Sequence, residues 1–439
     1  MMKFLLKVFS YFLGASFHIL LSLLCRVIFH LLLYIEKNLL PTKQGPPYES
    51  LGLILSHLPD CIDRCHFRAV CKSWLLAEKE HPLPYQQLPW LITSTENSRP
   101  FKVPCFSFTS KKIYWLNFPV EPYGERHHGT SSDGWVLMER ADPLATFLFN
   151  VFSSLKIPVP NLFEIVGGDS TLQLAFERLH NLIGWQSGTH FIHKMRVRSS
   201  PTSYDCLIAT LGFFGTLSLC KPMTKSWTIK KDSDTTSLED FIFYGKMIFG
   251  IDQEEQIVAF EVGENLELEG LPHVTDVFKY STVRNVHIDE HTLGRPSIYL
   301  AEHCGKLLMV LRYGEFDDRI KKGIYFRTTQ FKVFELDQTK SPFEWVHVNS
   351  LGKFAMFLGS QGIHFIPTSI MGCLEDDCIY FSVHFDRKYR LKYADRGVYS
   401  MRDGSIKQLD NIGAYLSSAS RNWLPNYPDV WLFPPKYKS

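Results

Sequence analysis

The sequence has no excess of charge of either sign worth the name: 47 Lys and Arg stand against 45 Asp and Glu. A chain so balanced lacks the basic face that neutralises phosphates, so nucleic-acid binding is not expected. Also missing are a Gly-x4-Gly-Lys-Ser/Thr loop, a Gly-x-Gly-x-x-Gly turn and a His-Glu-x-x-His helix. The signatures of P-loop phosphate binding, dinucleotide binding and zinc hydrolysis are therefore absent. No long polar low-complexity tract interrupts the chain, so most of it is expected to be ordered. There is no Asn-x-Ser/Thr acceptor, and the 10 cysteines are scattered beside apolar neighbours rather than set in a disulfide framework. Both point to a reducing location, cytoplasmic or nuclear. No catalytic, cofactor-binding or metal-binding residue is assigned, and the chain is expected not to be an enzyme.

What is present begins with an apolar segment. Val8 to Cys25 carries no formal charge, and beyond Arg26 the apolar character continues to Ile35. Such a run is just long enough to cross a bilayer. Lys3 and Lys7 precede it and Lys37 and Lys43 follow, so the positive charges assign no orientation. Residues 1–35 are read as a hydrophobic N-terminal helix. One alternative is a membrane anchor that leaves the remainder facing the cytoplasm; the others are a helix packed on the protein and an N-terminal extension that is not part of the natural product.

After the Pro41 to Pro47 breaker cluster, apolar residues fall at 51, 54, 55 and 58, one face of a short helix that Pro59 ends. Asp60 or Asp63 is placed to cap a second helical stretch carrying Phe67, Val70, Cys71, Trp74 and Leu75 on one face. Two or three short helices are too few to build a large core, so an exposed apolar face here would seek a partner. His57, Cys61, Cys65, His66 and Cys71 match no familiar zinc spacing; Cys71 falls on the apolar face, and burial is expected for it.

Leu51 to Trp74, ending His66-Phe67-Arg68-Ala69-Val70-Cys71-Lys72-Ser73-Trp74, resembles an F-box, whose tail reads R-F-R-x-V-C-K-x-W. The resemblance assigns residues 46–81 to an F-box. It implies that Pro47, Leu51, Ile54, Leu58, Pro59, Val70, Cys71 and Trp74 lie at or beneath a surface engaging the Skp-type adaptor of a cullin-RING ligase. Physically this is apolar helix-in-groove burial. Pro46 stands where the first Leu is usual, and Ser50 replaces one of a Leu pair; both departures are expected to lower adaptor affinity.

From Pro89 onward the texture changes to short aromatic and β-branched runs separated by turn residues. Lys112–Leu116, Trp135–Met138, Thr146–Asn150, Cys206–Thr210, Phe241–Tyr244, Met247–Ile251, Ile257–Phe260, Lys306–Leu311, Phe331–Leu336 and Cys378–Ser382 all read as strands. So many strands exceed one sandwich and suggest antiparallel blades repeated around an axis. A degenerate repeat supports this: Trp227 and then Tyr244 to Phe249 run parallel to Trp345 and then Cys378 to Phe381. In each course the Trp is expected to pack between neighbouring sheets.

The order of these pieces resembles a plant F-box family with a C-terminal KIB-type, kelch-like β-propeller. The likeness rests on Leu88-Pro89-Trp90-Leu91, Ser132-Asp133-Gly134-Trp135-Val136 and Cys220-Lys221-Pro222. It continues through Tyr299 to Gly305, Phe331 to Phe334, Leu351-Gly352-Lys353, Phe357-Leu358-Gly359 and Cys378 to Phe381. It implies a mainly β chain: a propeller over 89–435 preceded by a small α-helical F-box and the hydrophobic N-terminal helix.

Other candidates are read as structural. His287 and His291 flank carboxylates, but in a β domain rather than on a helix that would aim both rings at one metal. Gly129 to Gly134 lacks the spacing of a nucleophile elbow and reads as a turn, and His127-His128 as a solvated loop pair. Gly314 to Lys322 is charged and long, either a contact loop or a solvated connection. The resemblance implies the substrate-recognition adaptor of a Skp-cullin-F-box ubiquitin ligase, its propeller holding an unknown target protein. The competing expectation is a non-ligase propeller scaffold for protein–protein interaction, membrane-anchored through residues 1–35.

Overall fold

The apolar runs after Pro89 form strands with both faces covered, and the covering is done by one another. Architecture is taken from a computed structural model. It describes residues 47–58, 61–81, 89–92, 102–107, 112–117, 126–130, 134–140, 145–160, 192–212, 215, 217–224, 226–229, 238–252, 255–264, 272–280, 282–284, 296–317, 325–359, 362–370, 374–382, 395–409 and 430–433. The chain divides into two compact units, Met1–Gln87 with Lys436–Ser439, and Leu88–Pro435. The hydrophobic segment 1–35 and the His287/His291 pair lie outside the described residues. Among the described residues no helix is long and apolar enough to cross a membrane.

The second unit contains six sheets among its described residues. Blade 1 holds β1 (Trp90–Ile92), β2 (Lys102–Ser107) and β3 (Lys112–Asn117). Blade 2 holds β4 (Arg126–Thr130), β5 (Trp135–Arg140), β6 (Ala145–Asn150) and β7 (Lys156–Val159). Blade 3 holds β8 (Ile192–Val197), β9 (Ile208–Gly212), β10 (Leu217–Cys220) and β11 (Thr228–Ile229). Blade 4 holds β12 (Leu238–Tyr244), β13 (Met247–Asp252), β14 (Ile257–Glu264) and β15 (Pro272–Tyr280). Blade 5 holds β16 (Thr282–Arg284), β17 (Ser297–His303), β18 (Lys306–Asp317), β19 (Tyr325–Asp337) and β20 (Phe343–Val348). Blade 6 holds β21 (Phe354–Gly359), β22 (Gly362–Pro367), β23 (Cys378–Phe381), β24 (Gly397–Ser400) and β25 (Ile406–Gln408).

The last strand, β26 (Val430–Leu432), pairs antiparallel with β1, Leu91 opposite Trp431, and so completes blade 1 from the far end of the chain. The leading strands lie side by side in the order β26, β4, β8, β12, β17 and β22, and β21 returns to β26. This closed ring is a six-bladed β-propeller, which leaves no sheet open at the axis.

Packing between blades explains why these strands read as continuous apolar runs rather than alternating ones. Along β9 and the two residues before it, Leu207, Ala209 and Leu211 face blade 4, while Cys206 and Ile208 face blade 2. Both expected inter-sheet tryptophans take that place. Trp227 packs among Leu137, Leu148 and Ile157, its Nε1 donating to Pro160 O at 2.9 Å. Trp345 packs among residues of blades 4 and 5.

Three connections differ from the sequence reading. His127-His128 belongs to β4, a leading strand bulged between His127 and Gly129, because pairing with β5 draws that segment into the ring. Gly314 to Asp317 prolongs β18 by pairing with Tyr325 to Thr328, so it is not loop; residues 318–324 lie outside the described residues. Two pairings depart from the antiparallel meander: β16 runs parallel to β20 at an edge, and β21 parallel to β23 inside its sheet. Gly134 turns the chain into β5 at φ +79°, and a Cβ there would run into the Phe152 ring.

Candidate functional site

The first unit carries three short helices: α1 (Tyr48–Ser56), α2 (Cys61–Arg68) and α3 (Lys72–Glu80). Leu51, Leu55 and Leu58 recur at four and three residues and meet Phe67, Trp74 and Ala77 in one buried cluster. The Phe67 and Trp74 ring centres are 4.4 Å apart. The His57 amide closes α1 by donating to the Ile54 and Leu55 carbonyls. At Gly52 a Cβ would stand 2.8 Å from Nε2 of His81, so the missing side chain lets the end of α3 settle against α1.

The helical stretch expected to run through Cys71 is broken. The Val70 amide turns back to the Phe67 carbonyl, and Cys71 is extended at φ −163° as the residue preceding α3. That extension swings Cys71 into solvent, its Sγ 3.0 Å from Ser73 Oγ, so the expected burial is overturned. Sequence reading also missed Arg64, which is buried. Its Nε donates to Leu58 O at 3.1 Å, Nη2 to Leu55 O at 2.9 Å and Nη1 to His81 O. The guanidinium thus gathers three main-chain carbonyls at the ends of α1 and α3. A signal existed: Arg64 precedes Phe67 by three residues, which puts it on the apolar face.

Of the residues assigned to the adaptor surface, Leu51, Leu58 and Trp74 lie inside the unit's own core. Ile54 and Val70 are half-buried at its rim, and Pro47 and Cys71 are exposed. Pro59 lies outside the described residues. Leu53 and Leu76, not singled out from sequence, are exposed large apolar side chains. The side chains of this set that reach the surface of the unit are therefore Pro47, Leu53, Ile54, Val70, Cys71 and Leu76, with the buried leucines and Trp74 holding the helices beneath.

A cluster of buried charged groups lies where the leading strands of the propeller meet. Lys194 Nζ and Arg196 Nη2, both on β8, lie 3.2 and 3.3 Å from Oδ1 of the fully buried Asp240 on β12. Oδ2 of Asp240 accepts the Leu300 amide of β17 at 2.8 Å, and Lys194 also donates to Glu239 O. The Arg196 guanidinium reaches the start of β22, where a Cβ on Gly362 would meet Nη1 at 2.8 Å. Ion pairs and hydrogen bonds of this cluster join blades 3, 4 and 5, and Arg196 packs against Gly362 of blade 6. Burial pushes the Lys194 ammonium below its ordinary lysine value, which the Asp240 carboxylate partly offsets. These side chains satisfy one another. Among the described residues no three His, Cys, Asp or Glu side chains come together as a metal site.

Sequence comparison matches residues 105–415 to the KIB1-4 beta-propeller family. The F-box protein At3g56470 of Arabidopsis thaliana is 21% identical over 388 residues, covering 83% of this chain and 89% of that protein. Among solved structures, the N-terminal domain of Nup159 is 10% identical with a TM-score of 0.29. That alignment covers 62% of this chain and 64% of Nup159's domain, less than two thirds of it. The Myceliophteria thermophila Cps50 (Swd1) beta-propeller domain is 7% identical with a TM-score of 0.28, over 70% of this chain and 79% of that one. Structural likenesses this loose carry no functional inference.

Proposed function

The chain belongs to the KIB1-4 beta-propeller family, and from that premise we propose that it is the substrate-recognition subunit of a Skp-cullin-F-box ubiquitin ligase. Residues 46–81 act as the F-box and dock on a Skp-type adaptor, and through it on a cullin-RING ligase. Residues 89–435 hold a target protein. No side chain of this chain takes part in chemistry; proximity lets the other subunits transfer ubiquitin. The protein works in the cytoplasm or nucleus, where such ligases are assembled.

The observation that carries the reading is the helical unit. Its six buried apolar side chains close a core of their own, yet Leu53 and Leu76 remain in water and Ile54 and Val70 only half covered. A unit this small gains little by exposing such groups unless a partner covers them. The relation to an F-box protein supports the same assignment.

The test is recovery of a plant Skp-type adaptor by the full chain. Leu53→Asp with Leu76→Asp leaves the core untouched, so helicity and unfolding midpoint are expected to hold while recovery falls about tenfold or more, as for loss of a buried anchor. Leu58→Asp is expected to abolish recovery by unfolding the helices. Equal recovery of wild type and the surface double variant, or none by wild type, overturns the proposal.

A further inference from the structure

Three turns of blades 2 and 3 leave the propeller on one face, since connections after the first and third strands of such meanders open to the same side. The turn between β6 and β7 is set by Asn150, whose Oδ1 accepts the Phe152 and Ser153 amides at 3.1 and 2.9 Å. It passes through Ser154 at φ +59° and leaves Leu155 44% exposed. The loop between β8 and β9 is pinned by the Ser199 and Ser203 hydroxyls on Asp205 Oδ1 and by Arg198 Nη2 on Asp205 O. From that framework Tyr204 stands 96% exposed.

The third turn, between β10 and β11, breaks a local rule openly. Thr224 N donates to Lys221 O, Pro222 occupies the second position, and Met223 occupies the third at φ +67°. That place ordinarily takes glycine or asparagine, because other side chains are crowded in the left-handed region. Met223 is nonetheless 70% exposed, so no packing compensates it. Its amide donates to Pro158 O of β7 at 3.2 Å, which joins this turn to blade 2.

Folding gains nothing from a bare tyrosine or from a methionine where glycine would relax the turn. A contact surface gains from both: a tyrosine, with two side-chain torsions, supplies apolar area with little conformational entropy to lose on binding, and a flexible thioether adapts its shape to the surface it meets. The charges around them are lopsided. Lys156, Arg198 and Lys221 belong to these turns, against Asp205, whose carboxylate already accepts two hydroxyls.

We propose that this face of blades 2 and 3 is the seat of the target protein, Leu155, Tyr204 and Met223 receiving an apolar segment flanked by acidic side chains. The proposal rests on the propeller being the target-binding part and narrows it to one surface and one partner chemistry. Charge complementarity selects the acidic flanks, and the exposed side chains select the apolar core.

The test uses the full chain and a fluorescein-labelled synthetic peptide alternating glutamate with leucine and phenylalanine, read by anisotropy. Wild type is expected to bind it, and to bind a lysine-for-glutamate version at least about tenfold more weakly. Tyr204→Ser with Met223→Gly is expected to weaken the acidic peptide by about tenfold or more, while Met223→Gly relaxes its turn, so misfolding does not account for the loss. Lys156→Glu with Lys221→Glu is expected to act in the same direction. No binding by wild type, no preference for the acidic peptide, or undiminished binding by the Tyr204/Met223 variant overturns the surface. Adaptor recovery by that variant is expected to stay at the wild-type level. Failure of adaptor binding with peptide binding intact would therefore sink the ligase role alone, and the reverse result this surface alone.

Discussion

The guanidinium of Arg64 donates to the main-chain carbonyl of His81, 17 residues further along the chain, and so joins the middle helix of the unit to the end of the third. With Leu55 O and Leu58 O also held, one buried cation organises all three helices. Arg64→Met keeps the bulk and removes the donors, leaving buried carbonyls without them. We expect the helical unit to lose about 3 kcal/mol, seen as an earlier helical transition in urea, with the propeller transition unmoved.

A second buried arginine locks blade 5 to blade 6. Arg312 donates from Nε to Thr328 Oγ1 at 2.8 Å and from Nη1 to Ser382 O at 3.0 Å, and its Nη2 lies 3.2 Å from Asp395 Oδ2. Asp395→Asn removes the carboxylate from a guanidinium enclosed between the Phe331 and Phe381 rings. The expected loss is about 3–5 kcal/mol of propeller stability. Arg312→Met combined with Asp395→Leu is expected to cost less than Asp395→Asn alone; urea unfolding of the variants decides, and a larger loss in the double variant would contradict the account.

Ring closure depends on the final strand. Trp431 donates from Nε1 to Leu358 O at 3.0 Å, and its ring meets that of Phe357 edge-on at 5.2 Å. Gly359 admits it, since a Cβ there would stand 2.8 Å from the indole. Trp431→Ala is expected to cost about 3–5 kcal/mol. Removing residues 430–439 should do more, exposing β1 as an open edge and producing aggregation that light scattering detects.

Asp403 supplies a pH test. The Ser405 amide and hydroxyl, with help from Ser400, hold its carboxyl down to about 2 from an ordinary 3.8. A carboxylate with a depressed native value contributes stability that is complete above the ordinary value and lost as pH falls through the native one. The expected titration midpoint in a carboxyl-carbon NMR experiment is near 2. Asp403→Asn should flatten the part of the acid limb between about 4 and 2 and leave neutral-pH behaviour of the ring unchanged.

Strand identity was legible because each blade buries both faces. Met247 to Ile251 carries no polar side chain, and Phe331 to Leu336 sets only Lys332 and Glu335 among aromatic and branched residues, so both read as strands. The helical face of Leu51, Leu55 and Leu58 was legible for the same reason of periodicity. Cys71 was misplaced because a helix break depends on main-chain bonds that side-chain spacing does not record. His127-His128 read as loop because its strand character rests on pairing with β5, which local polar composition does not record.

The amino-acid sequence alone determined that this protein is a short helical unit followed by many doubly buried strands, since burial periodicity is a property of neighbouring residues. Tertiary structure alone decided that the strands make six blades, that β26 closes them against β1, and that Arg196 spans the axis toward Gly362. It also decided that Leu58 and Trp74 are core while Leu53 and Leu76 face solvent. Those outcomes rest on contacts between residues tens to hundreds of positions apart, whose free energy is set by which surfaces finally meet and is invisible to any local window.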